Sequence, residues 1–348
     1  MNDRYQTYIA DEHIELAWNQ YLKQHPTNPG LNCFAWQRVL AETYRPLQRH
    51  FYVKNNLNQI VGILPTYITT TIKGHKQLFS SRQGMLANND AVATLLIHEA
   101  KKFAKEHSVI KAEIASGVQQ YDVAAARYTR DTIRIDLTVN MNDLWKKMRD
   151  KTRNAIRKGE KHHLSIQQGK NLLSQFYHMY SQRMVKKSVL LLSFDFFKAL
   201  MKHFNDQCEV YLAFKENQPI AGMLIVYFGS TAVYAYGGML PGYEHYCPNQ
   251  YLLWHIVKNC YMKNIMMLDL GESSVGSGVY KFKTWFGGEP QAVYYYDLLK
   301  PMHQSTRVNS STNTLSTVEK SYHIFMKHAP IWLKAPVLKK LKQYGRLI

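Results

Sequence analysis

With 348 residues, 46% of them hydrophobic and 20% charged, the chain is long enough for two ordinary domains and too apolar for extensive disorder. Its formal net charge of +19 calls for an anionic partner (nucleic acid, nucleotide phosphates or an anionic membrane face) or for a solvated basic surface. Apolar runs stay well short of the roughly 18 to 20 residues of a membrane span, the first residues lack a signal-peptide core, and the four cysteines have no C-x-x-C spacing, so neither zinc nor a disulfide framework is expected and a reducing cytoplasm is.

In chain order, residues 12–23 and 33–44 place apolar side chains at helical spacing, with the loop HPTNPGLN between them. HFYVKNNLNQIVGILPTYI follows as two strand-like runs around an asparagine-rich turn. KQLFS predicts a strand, 91–107 a helix capped by Asn89 or Asp90, and 109–115 and 132–137 two more strands. In the basic stretch LWKKMRDKTRNAIRKGEK (144–161), Leu144, Met148 and Ile156 form one stripe and lysines and arginines cover the rest. A solvated helix face accounts for such a run. Arg153 and Arg157, four apart on one face, equally suit a phosphate or membrane contact. Helices at 176–184 and 194–204 lead into a second half that repeats the first. VYLAFKENQPIAGMLIVYF has the layout of the earlier strand–turn–strand run, with Gly222 in the place of Gly62, and in each half a further strand, a helix and a strand follow. The pattern predicts an α/β chain of the α+β kind, built from two copies of one unit joined near 139–167.

Past Lys300, residues 303–317 include QSTRVNSSTNTLST and read as a polar linker. Residues 318–348 carry lysines and Arg346 against the one acidic residue Glu319, interleaved with Phe325, Ile331, Trp332, Leu333, Val337, Leu338 and Leu341. Such a segment either packs back on the body or forms basic amphipathic helices that touch an anionic membrane.

The candidate chemistry gathers in 234–296. Tyr234-Ala235-Tyr236 ends a strand at Gly237-Gly238, and Pro248-Asn249 opens a helix that is apolar nearly all round. IMMLDL is a short strand ending at Gly271-Glu272. A loop with Gly276 and Gly278 leads into VYKFKTWFGG, a helix stopped by Gly287-Gly288, before the strand AVYYYDLL. Helix starts and glycine-rich loops at strand ends are where α/β proteins build sites. At about 100° per residue Val279, Phe282, Trp285 and Phe286 share the buried face, and Lys281 and Lys283 flank it on opposite sides. Either ammonium suits an oxyanion or a phosphate, and snorkelling at a rim accounts for both; periodicity does not separate the two. Phe282 would line the same site. Glu272 is a proton acceptor or a cap, Tyr236 a substrate ligand or a packing residue, and Asn249 a substrate ligand or a helix cap. G-x-S-x-G, H-E-x-x-H and Walker-type loops are absent, which excludes serine hydrolase, zincin and P-loop readings, and the fifteen histidines are scattered, so no metal is expected.

DLGESSVGSGVYKFKTWFGGEP resembles the signature block of the FemAB-type aminoacyltransferases, and the chain looks closest to their exosortase-associated branch. Phe34 to Trp36, VGILP, MRDKTRNAIRKGEK, CPNQYLLWHIVKNCYMKN and the basic C-terminal segment extend the resemblance from about Pro29 onward. It implies two tandem GNAT-like domains, at 1–150 and 151–302 with the site in the second, then the linker 303–317 and basic helices at 318–348. The lysine after phenylalanine, here Lys283 after Phe282, is implied to stabilise a tetrahedral oxyanion, with Glu272 the nearest candidate to take the proton. The implied donor is aminoacyl-tRNA, the acceptor a nucleotide- or lipid-linked envelope precursor of peptidoglycan type, and no metal or cofactor takes part. The chain departs from the pattern in placing Glu272 where relatives often carry arginine, in the apolar run Val189-Leu190-Leu191-Leu192 where they often carry a basic ligand, and in lacking a coiled-coil segment. An acyl-CoA-dependent GNAT enzyme is the first alternative, although Arg82-Gln83-Gly84 lacks the second glycine of a pyrophosphate loop. A non-catalytic basic protein that holds nucleic acid or anionic lipid is the second.

Overall fold

In the computed structural model of the chain, residues 5–300 and 306–307 are described, except 26, 29, 72–73, 118, 124–125 and 188–190. The expected linker at 303–317, apart from residues 306–307, and the basic helices at 318–348, like Val189 and Leu190, lie outside the described residues. Along the chain run β1 (Gln6–Ile9), α1 (Glu15–Lys23), α2 (Phe34–Tyr44), β2 (Leu47–Lys54), β3 (Ile60–Thr70), β4 (Lys76–Phe79), β5 (Leu86–Ala87), α3 (Asp90–Glu106), β6 (Lys111–Ala115) and β7 (Ala126–Asp136). Then come α4 (Met141–Lys147), α5 (Asp150–Lys161), β8 (Ser165–Gln168), α6 (Leu173–Lys186), α7 (Phe194–Phe204), β9 (Cys208–Lys215), β10 (Gln218–Phe228), β11 (Thr231–Met239), α8 (Pro248–Met262), β12 (Met267–Glu272), α9 (Gly278–Trp285) and β13 (Glu289–Asp297).

Two units form, one from residues up to 131 with 291–300, the other from 132–290. The chain therefore changes unit within β7 rather than at 150/151, because α4 and α5 pack into the core of the second unit. Leu144, Met148 and Ile156, the expected stripe, are buried in the same core as Leu252, Leu253 and Ile256 of α8. The basic stretch is two helices, not one, since Met148 and Arg149 are extended.

In the first unit the strands pair in the order β1-β2-β3-β4-β6-β13, antiparallel except for β4 with β6. Helix α3 covers one face, its Val92, Leu96 and Phe103 packing with Phe51, Val53 and Leu64. In the second unit the order is β7-β12-β11-β10-β9-β8, and only β11 and β12 are parallel. Helix α8 covers one face with the core just named, while α6 lies on the other, where Phe176 and Met179 meet Gly222. Strand, two helices, three strands, helix and strand recur in both units, each with one parallel pair in the corresponding place. The tandem α/β repeat is real.

The two glycines that suggested it do not correspond. Gly62 and Ala221 are each the first paired residue beyond a bulge in β3 and β10, opposite Val53 and Ala213. Gly62 faces α3, whereas Gly222 lies one residue further on and faces the opposite side of its sheet. A different glycine is held by close packing. A Cβ on Gly238 would stand 2.7 Å from the backbone nitrogen of Tyr180 in α6. Gly238→Ala must push helix from strand, and thermal unfolding should show a loss of about 1 to 3 kcal/mol; an unchanged melting temperature would refute this contact.

Candidate active site

The parallel strands β11 and β12 pair only from Thr231 with Met267 to Val233 with Asp269. Beyond that point both continue as strands but part. β11 takes a bulge at Ala235, between the pairs Ile225–Tyr234 and Leu224–Tyr236. β12 takes one at Leu270-Gly271, which stand opposite the single residue Ile133 between the pairs with Arg134 and Thr132. Gly271 has φ +76°, a conformation that glycine adopts without strain.

Asp269 fixes this second bulge. One of its carboxylate oxygens accepts from the Gly271 N–H at 2.7 Å and from the Thr132 hydroxyl at 2.8 Å, and the other from Nε of Arg134 at 3.0 Å. The Asp269 and Arg134 side chains are 4% and 1% exposed, so the ion pair is fully desolvated. The bulge turns two carbonyls the other way, towards α9. Nζ of Lys283 donates to the carbonyl of Gly271 at 2.9 Å and to that of Glu272 at 3.2 Å. Both acceptors are neutral carbonyls, and the two bonds fix where the ammonium stands.

Helix α9 begins with Ser277, whose Oγ accepts from the Tyr280 N–H at 3.1 Å. Its two lysines are not alike. Lys283 is 5% exposed, while Lys281, about 200° away round the helix, is exposed. Phe286 is buried, and the rings of Phe282 and Phe286 lie 5.2 Å apart. Val279, expected on the buried face, is 43% exposed, because the packed side is centred on Lys283 and Phe286 and the first turn projects beyond it.

Lys283 and the backbone of Glu272 are thus brought together at the end of β12, while Phe282 packs on Phe286 and the core of the second unit. Tyr236 sits on β11 past the point where the strands part, its ring edge-on to Phe197 at 5.2 Å and Phe196 at 5.8 Å. Asn249 is not the cap of α8. Cys247 holds that place, and the Asn249 amide reaches Sδ of Met239 at 3.3 Å. Arg153 closes the end of α4, donating to the carbonyls of Lys146 at 2.9 Å and Met148 at 2.7 Å and pairing with Asp150. Arg157 lies with its guanidinium carbon 5.5 Å from the Trp145 ring centre. Both arginines thus serve the junction of α4 and α5 rather than the strand end that holds Lys283.

The Arg134–Asp269 pair was not anticipated. Alternation gave no signal for it. Arg134 and Asp136 alternate with the core residues Ile133, Ile135 and Leu137, and Asp269 with Leu268 and Leu270, which reads as a polar strand face, yet Arg134 and Asp269 are buried. In the first unit, by contrast, the loop after β4 packs inward. Asn32 Nδ2 donates to the carbonyl of Gln83 at 2.8 Å, and Ala115 N–H donates to the Ser80 hydroxyl at 2.9 Å. The Arg82-Gln83-Gly84 stretch is thereby tied into the protein rather than presented as a phosphate cradle.

Residues 146–284 match the family model described as an acetyltransferase (GNAT) domain. No curated protein sequence matches the chain. Among solved structures, FemX superposes with a TM-score of 0.66 at 13% identity, covering 84% of this chain and 97% of its own. The fold is that of the FemAB-type tandem GNAT proteins. A tandem GNAT protein from the clavulanic acid biosynthesis pathway is similar over 85% of this chain and 99% of its own, at 9% identity and a TM-score of 0.50. The C-terminal domain of a protein assigned as a lysylphosphatidylglycerol synthetase of Agrobacterium fabrum covers 81% of this chain and 93% of its own, at 10% identity and a TM-score of 0.52. Within this tandem GNAT chain the matched region lies in the second unit and takes in the parted strands and Lys283. No helix among the described residues is long and apolar enough to cross a membrane.

Proposed function

We propose that the protein transfers an activated acyl or aminoacyl group to an amine of a cell-envelope precursor, in the cleft where β11 and β12 part. The observation that carries this reading is the buried Lys283 ammonium, held by two carbonyls at the end of β12. An amine that attacks an activated carbonyl leaves negative charge on its oxygen, and a fixed, desolvated cation beside that oxygen lowers the barrier. Glu272, whose own carbonyl helps to hold Lys283, takes the proton that the amine loses. The oxyanion then collapses, the bond from the acyl carbon to the donor breaks, and the leaving group departs with that proton. Phe282 and Tyr236 line the cleft. The structural likeness to FemX, and to a domain assigned to lysylphosphatidylglycerol synthesis, supports an envelope precursor as acceptor.

The loop into α8 favours aminoacyl-tRNA over acyl-CoA as donor. A pyrophosphate needs backbone N–H groups at such a helix start. Here the Glu244 carboxylate accepts from the Gly242 N–H at 2.8 Å, and Pro248 removes the N–H of the first helical residue. Backbone N–H bonds, its own and that of Gly242, hold the Glu244 carboxyl below the usual glutamate range, so the loop keeps a negative charge where phosphate would have to enter.

The test is mass spectrometry of envelope precursors from cells with and without the protein, followed by transfer assays on the changed species with aminoacyl-tRNA and with acyl-CoA. The expected outcome is an aminoacylated or acylated amine that depends on the protein and on aminoacyl-tRNA. Unchanged precursors, together with no transfer from either donor, would overturn the reading; transfer from acyl-CoA alone would overturn the donor assignment.

A further inference from the structure

Helix α5 buries Thr152, Ile156 and Gly159 on one side. At about 100° per residue, Lys151, Arg157, Lys158 and Lys161 fall on the opposite side, and all four are exposed. Of the two acidic residues of the helix, Asp150 is engaged by Arg153, and Glu160 lies at the edge of this face. Helix α8 packs alongside so closely that a Cβ on Gly159 would stand 2.7 Å from Cβ of Tyr251. The junction carries two tryptophans between cations. Arg157 covers Trp145 at 5.5 Å, the Trp145 and Trp254 rings lie 5.1 Å apart, and Lys258 stands over Trp254 at 6.0 Å. One turn beyond Lys258, Tyr261 is 40% and Met262 is 73% exposed.

This face mixes fixed positive charge with exposed apolar side chains. Aromatic residues that bind single-stranded nucleic acid offer a bare ring to a base. These indoles are covered by cations and by each other, so stacking is not what they present. Exposed lysine and arginine heads, the partly buried Trp145 beneath Arg157 and an apolar tip such as Met262 together match a phospholipid interface. We propose that the exposed face of α5 and α8 docks the second unit on an anionic phospholipid surface.

The assignment is independent of the acyl-transfer reading and is tested without a donor. The full chain is sedimented with phosphatidylcholine vesicles with and without phosphatidylglycerol. Binding is expected only to the anionic vesicles and is expected to weaken with added salt. Lys158→Gln and Lys161→Gln should each lower the partition coefficient about 5-fold, and the pair roughly 30-fold. Lys102→Gln/Lys105→Gln on α3 of the first unit removes equal charge and should leave binding unchanged. Equal losses in the two double variants would mean that only net charge matters, and would overturn the docking face. So would failure to bind the anionic vesicles. Salt-sensitive binding of a structured RNA that the α5 variant abolishes, with vesicle binding intact, would reassign the face to nucleic acid.

Discussion

Replacing Lys283 with Met is expected to lower the rate of acyl transfer roughly a hundred- to a thousand-fold, about 2.7 to 4 kcal/mol of transition-state stabilisation. Lys281→Met should cost far less. Both changes remove one positive charge from the same short helix, so the field of the whole protein changes equally in the two. They differ in position: Lys283 is buried on the carbonyls of Gly271 and Glu272, while Lys281 faces solvent. Methionine keeps the volume of the stem. It also deprives two carbonyls of a donor, which costs about 1 to 3 kcal/mol where the acceptor is buried. That exceeds what a peripheral rim lysine would lose, so the rates must be compared at a temperature where thermal melts show both variants folded. Similar turnover in the two folded variants would remove Lys283 from the chemistry and leave it as an anchor for the bulge.

Much of this could be read from side-chain pattern alone. Alternation and helical spacing located most of the elements, and the recurrence of strand, turn, strand, helix and strand announced two copies of one unit. What the pattern lacked was register. Gly62 and Gly222 looked equivalent because both follow a polar turn by a few residues, but the bulges at Val61 and Ile220 sit at different distances from them. A shift of one residue reverses the face of a strand. The tie between Lys281 and Lys283 had a similar origin. A helix wheel shows that two lysines flank an apolar stripe, but which flank meets the protein depends on how α9 is rolled against its neighbours. The FemAB-like block pointed to Lys283, which is the buried one of the two lysines. Arg153 has a local role that the sequence did not show: it donates to the carbonyls at the end of α4, which becomes visible only once the basic stretch breaks at Met148.

Asp269→Asn should destabilise the protein by about 3 to 5 kcal/mol, the cost typical of breaking a buried ion pair from one side. Asparagine is nearly the same size and its oxygen still accepts from Gly271 N–H or Thr132, so the loss reports charge rather than shape. The Arg134 guanidinium, 1% exposed, would then face a neutral amide across 3.0 Å. Thr132→Val removes one hydrogen bond to the same carboxylate and should cost only about 1 kcal/mol more than its own packing change. Combining Asp269→Asn with Arg134→Gln removes both charges and should recover much of the loss, giving a coupling energy of a few kcal/mol in a double-mutant cycle measured by denaturant unfolding. An additive double variant, or a single variant within about 1 kcal/mol of the parent, would show that the pair does not anchor this strand end. The consequence for the site comes from connectivity. Asp269 holds the Gly271 N–H, and the carbonyl of that same residue holds Lys283. The charge pair therefore sets where the Lys283 ammonium stands, and if that ammonium acts as proposed, folded Asp269→Asn protein should lose turnover in proportion to the slack it gives Gly271.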